Sequence, residues 1–114
     1  MFSWFITGQT SADRVRVNQV VSRVDDDAEE SGSGKVVLDF RDLELAEILG
    51  LRFAPLNVPA GATILNASLQ FTVAEATSRT TTLESRGQSV AHASPFSTRD
   101  NDLSTRVTSD AFVQ

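Results

Sequence analysis

The sequence predicts an all-β protein of short antiparallel strands, a sandwich or barrel. Residues 65–73 alternate strictly: Leu65, Ala67, Leu69, Phe71 and Val73 fall on one side, Asn66, Ser68, Gln70 and Thr72 on the other. That is the period-two pattern of a half-buried strand. Leu51 and Phe53 mark a second short strand just before it, joined by the turn 55–61, which holds Pro55, Pro59 and Gly61. Further short apolar runs, separated by Gly, Ser, Thr and Asp clusters, continue the pattern in both directions.

The elements follow in order. Residues 1–14 form an N-terminal arm or extra strand, with Phe2, Trp4, Phe5 and Ile6 as a strand or a buried anchor and residues 8–13 as a loop. Residues 15–114 form a single β-sandwich domain. Val15 and Val17 alternate with Arg16 and Asn18, and the shift of phase at Val20 and Val21 suggests a bulge. Residues 25–34, DDDAEESGSG, read as an acidic loop. The β-branched run at Val36 and Val37 predicts the next strand. Residues 42–49 carry a conflict. Asp42 and Glu44 alternate with Leu43 and Leu45 as in a strand, whereas Leu45, Ile48 and Leu49 are spaced as in a helical turn ahead of Gly50. After the central pair, residues 83–87 predict a short strand, 88–102 a long loop and 103–113 a last short strand.

With 114 residues the chain is one domain. Its net charge of −5, single lysine (Lys35) and scattered arginines argue against nucleic acid, whose phosphates require clustered cations. The absence of cysteine excludes disulfides, a thiol nucleophile and thiolate metal sites. No stretch is long and apolar enough to span a membrane, and residues 1–7 lack the basic start and cleavage site of a signal peptide.

Several stretches together resemble a family: DDDAEESGSG (25–34), DLEL (42–45), GLRF (50–53), NVPAGATILNASLQFTVAEATS (57–78), SRG (85–87) and LSTRVTS (103–109). The chain is similar over residues 17–109 to DNRLRE-type and related carbohydrate-binding-module-like jelly-roll modules of secreted bacterial proteins. The turn of the form N-[VI]-P-x-G-A-T-I, met here at residues 57–64, is the most specific part. The resemblance implies an antiparallel β-sandwich of jelly-roll type, an extracellular setting and a glycan-binding, adhesive or structural role. It also implies further strands beyond residue 114, so that the sandwich is incomplete at the C-terminus. The chain departs from the pattern in the short AEIL connection before GLRF and in QSVAHAS after SRG.

The acidic run carries the sharpest chemical signal. Like charges so close together either splay into water or collect a cation. One reading is a calcium site formed by Asp25, Asp26, Asp27, Glu29 and Glu30, with Asp42 and Glu44 contributed from the DLEL strand. The other is a solvated acidic loop that discourages edge pairing. His92, the single histidine, has Ser89 and Ser94 nearby but no nucleophile-elbow pattern, and reads as a loop residue. Carboxylates gathered in one run do not suggest a glycosidase pair, and no catalytic residue is expected. With one tryptophan and no tyrosine, exposed platforms for sugars are few; Phe53 and Phe71 read as core. The sequon Asn66-Ala67-Ser68 falls inside a strand and is assigned no role. The arginines at 52, 86 and 106 are expected to pair on the surface with the acidic loop, each pair worth on the order of 0–1 kcal/mol.

The resulting expectation is a non-catalytic extracellular module, glycan-binding or an adhesive spacer, stabilised by calcium. Its partners would be polysaccharide or other domains of a larger protein. The alternative is a self-assembling structural subunit that adds strands at an open sheet edge.

Overall fold

The computed structural model describes residues 2–10, 13–38, 47–72 and 78–114, with side chains from residue 16 onward. The described residues are all-β: β1 (Phe2–Thr10), β2 (Asp13–Val20), β3 (Asp27–Glu30), β4 (Val36–Leu38), β5 (Ile48–Leu51), β6 (Thr63–Phe71), β7 (Ser85–Gln88) and β8 (Thr108–Val113), with one 3-10 turn among them at Val24–Asp26. The strands form three small antiparallel sheets, ordered β2-β1-β6, β4-β3-β5 and β7-β8.

The first sheet centres on β1. Its register with β2 runs without interruption from Ser3↔Val20 to Thr10↔Asp13. Residues 2–10, an arm or extra strand on sequence grounds, are thus the middle strand of a sheet. On its other side β1 meets β6 from Phe2↔Phe71 to Gln9↔Thr63, with a shift of register between Thr7 and Gly8 that leaves Leu65 as the extra residue.

The second sheet is built on the acidic run. Residues 25–34 are not a loop: the 3-10 turn and β3 take up the carboxylates, and only the turn that follows keeps the Ser and Gly residues. In that turn Ser31 N–H donates to Lys35 O at 3.0 Å and Gly34 N–H to Ser31 O at 2.8 Å. Gly34 sits at φ 83°, a left-handed conformation that favours glycine. β3 pairs with Val36–Leu38 on one side and with Ile48–Leu51 on the other. Ile48 and Leu49 therefore belong to a strand; the rest of the 42–49 conflict lies outside the described residues.

The central pair expected around residues 51–73 is not a pair. β5 bonds to β3 and β6 bonds to β1, so the turn 55–61 joins two sheets instead of closing a hairpin.

Among the described residues the buried apolar core lies against the second sheet: Ala28, Val36 and Leu103, with Leu38 and Phe96 packed on it. Gly50 is the point of closest approach. A Cβ there would lie 2.6 Å from Phe96 Cζ and 3.0 Å from Leu103 Cδ2, so glycine lets the segment carrying Phe96 and Leu103 reach the strand. By contrast, β6 is exposed along nearly its whole length, with only Leu69 half-buried. Phe71, expected in a core, is exposed; it ends β6, which lies at the edge of its sheet among the described residues. The accessible surface of 8442 Å² exceeds the roughly 6100 Å² of a compact monomer of this mass.

Candidate functional site

The side chains able to do chemistry gather where three segments meet: residues 25–30, the end of β5, and the loop and turn 93–106. β3 itself explains how. Successive side chains on a strand point to opposite faces, so Ala28 and Glu30 turn inward, continuing the buried side begun by Asp26, while Asp27 and Glu29 occupy the other face and are less buried.

Asp26 is 1% exposed and Arg52 Nη1 lies 2.5 Å from its Oδ1. The same arginine donates its main-chain N–H to Asp26 O at 2.8 Å and its Nε to Ala93 O at 2.7 Å. One residue of the GLRF motif thus fastens the acidic turn and the distant loop to the end of β5.

Glu30 is 3% exposed, and its Oε2 accepts from Leu103 N–H at 2.8 Å and Ser104 N–H at 3.0 Å. Burial pushes its carboxyl upward, but the bonds from Ser104 and Leu103 prevail and hold it below the ordinary carboxylate range. Asp102, also buried, follows the same balance: burial pushes it up, and Ser97 N–H with the Arg106 guanidinium brings it down. Its Oδ2 accepts from Ser97 N–H at 3.0 Å and from Arg106 Nη2 at 2.9 Å.

Arg106 completes the arrangement. Its guanidinium donates to Ser94 O at 2.8 Å, Pro95 O at 3.0 Å and Asp102 O at 3.2 Å, and stacks 4.5 Å from the centre of the Phe96 ring. A planar fork with several donors suits this role in a way a lysine does not. Main-chain bonds add to the clamp: Phe96 N–H to Asp25 O at 2.8 Å and Asn101 N–H to Gly34 O at 2.7 Å.

The carboxylates proposed for calcium are therefore dispersed. Asp25 pairs at the surface with Arg23 at 3.0 Å, and that side-chain bond lowers its pKa. Asp26 faces Arg52, Glu30 caps a turn, and Asp27 and Glu29 lie across the strand. Asp42 and Glu44 lie outside the described residues. Among the described residues no three or more His, Asp or Glu side chains gather where they could hold a metal ion.

Of the three arginines expected to make weak surface pairs with the acidic run, only Arg52 does so, and its partner is buried. Arg86 instead pairs with Glu84 at 2.5 Å and stacks 4.9 Å from Phe112. Arg106 serves Asp102, four residues away. Sequence reasoning missed Asp102 and the acceptor role of Glu30, because their partners are main-chain groups that carry no signature. The one available signal was the spacing of Asp102 and Arg106, which suits a helical turn. His92 is exposed, and Phe53 is half-buried. No helix among the described residues is long and apolar enough to cross a membrane.

Comparisons with protein-family models, with curated proteins and with solved structures found no match.

Proposed function

We propose that the chain is a non-catalytic β-sandwich module of jelly-roll type from an extracellular protein, serving in glycan attachment or as a structural spacer. One observation carries this reading. The stretches at 25–34, 50–53 and 103–109, far apart in sequence, converge on one buried framework in which Asp26, Glu30, Asp102, Arg52 and Arg106 hold segments together. Groups committed to buried ion pairs and backbone bonds do structural work, and the resemblance that these stretches carry is to structural and carbohydrate-binding modules. Calcium enters this reading as a ligand of the acidic run, Asp25 to Glu30, together with Asp42 and Glu44, on the chemistry of clustered carboxylates alone. A melt in calcium and in chelator tests that part: a calcium-linked rise supports it and coincident curves remove it.

The test of the whole is a pull-down on insoluble polysaccharides with an assay for released reducing sugar. Retention without release is expected of an attachment module. Full recovery in the supernatant with a cooperative melt is expected of a spacer. Release of sugar overturns the non-catalytic reading.

A second reading, a subunit that assembles with itself by strand addition, is favoured by the position of β6 at the edge of its sheet among the described residues, by its exposure and by the large accessible surface.

A further inference from the structure

We infer that β6 is a self-pairing edge: two copies of this chain join antiparallel along it, about a two-fold axis through Ser68. The inference rests on the self-assembly reading and specifies its edge, partner and register.

Among the described residues the sheets present several edges, and they are not alike. β2 carries Asp13, Arg14 and Arg16; β8 carries Asp110; β7 carries Arg86. β4 and β5 have three and four residues. β6 alone is a nine-residue edge, TILNASLQF, with neither a charge nor a proline. Natural sheets blunt exposed edges with charges, prolines or short length, and β6 has none of these guards although the chain carries a net charge of −5. That charge is spent elsewhere, so two copies meet on an uncharged element.

The partner is a second copy because the strand is complementary to itself. A two-fold axis normal to the sheet sets residue i opposite a residue on the same face. Centred on Ser68, it places Asn66 across from Gln70 of the partner, Ala67 across from Leu69, and Ser68 across from its own copy. Amides meet amides on one face and aliphatic groups meet on the other. The irregularity at Leu65 fixes the centre. A register centred on Ala67 sets Leu65, the extra residue opposite β1, inside the pairing across from Leu69, whereas one centred on Ser68 keeps Asn66 to Gln70 regular and moves Leu65 to the end of the pairing, across from Phe71. Ser68 is exposed while Leu69 is half-buried, which disfavours an axis through Leu69.

The chain has no cysteine, so single substitutions report cleanly. Sedimentation of the wild-type chain across a wide concentration range comes first, followed by mild oxidation of Ser68→Cys, Ala67→Cys and Leu69→Cys. In the proposed register the two copies of residue 68 stand about 5 Å apart between Cα atoms, within disulfide reach. The copies of residue 67, and those of 69, stand roughly 8 Å apart, beyond it. The expected result is a concentration-dependent dimer, with S68C cross-linking at least about tenfold faster than A67C or L69C. A wild-type chain that stays monomeric throughout overturns both this inference and the self-assembly reading. A dimer in which S68C does not cross-link overturns the β6 edge and leaves that reading standing. Faster cross-linking of A67C or L69C overturns the register.

Discussion

Removing the Glu30 carboxylate tests whether the acidic segment holds the fold. One oxygen of Glu30 accepts both the Leu103 and the Ser104 N–H, at 2.8 and 3.0 Å, in a buried setting. Charge-assisted bonds contribute about 1.5–3 kcal/mol each, and of the two donors left behind the Leu103 N–H is buried. Glu30→Ala is therefore expected to cost about 4 kcal/mol, a fall of roughly 15 °C in melting midpoint for a chain of this length. Glu30→Gln keeps an acceptor oxygen in place and loses only the charge, so it costs about 1–2 kcal/mol. Urea unfolding followed by far-ultraviolet circular dichroism measures both. The pH dependence sharpens the test. The folded carboxyl lies below its ordinary value near 4.3, so its contribution is fully present above about pH 5 and fades as the pH falls through the folded value. The gap between wild type and E30Q should shrink over that acid range. The reasoning is refuted if E30A costs less than about 1 kcal/mol, or if E30Q costs as much as E30A at neutral pH.

Three further outcomes follow from the same framework. Arg52→Met strands the Asp26 carboxylate in a buried site and should cost about 3–5 kcal/mol in urea unfolding; adding Asp26→Asn should recover part of the loss, which a double-mutant cycle measures. Gly50→Ala drives a methyl group into Phe96 and Leu103 and should cost about 1–3 kcal/mol by the same measurement. Arg106→Lys gives up the forked bonds to Ser94, Pro95 and Asp102; a loss of about 2 kcal/mol is expected in thermal melts, with increased proteolysis between residues 89 and 100.

The strands that announce themselves in the sequence do so through local chemistry. The alternation of residues 65–71 predicts β6, and the β-branched residues at 36 and 37 predict β4. What alternation reports is that a strand has two different faces; it does not report that a face is covered. Hence β6 is a strand as expected, yet its apolar side is exposed. The acidic run misleads for a related reason. Asp and Glu are poor strand formers, so DDDAEE reads as a loop until Val36–Leu38 and Ile48–Leu51 pair with it and Arg52 and two backbone N–H groups compensate Asp26 and Glu30. These partners lie 26, 73 and 74 residues away, and no local pattern encodes them. The weak worth assigned to Arg52 follows from the same blindness, since sequence spacing does not distinguish an exposed ion pair from a buried one.

The separation between Glu30 and Leu103 also bears on how the chain comes into being. During synthesis β3 emerges early, while its cap is 73 residues from completion. Until the segment with Leu103, Ser104 and Arg106 leaves the ribosome, Glu30 has every reason to stay hydrated, and β3 has little to bury against. The loop-closure entropy of so distant a contact must be met before the contact rewards it. β6, uncharged and proline-free, is extruded within that interval. A nascent chain held with residue 103 still inside the ribosome should therefore be protease-sensitive and prone to pair with its neighbours on a polysome, and emergence of that segment should end both behaviours together.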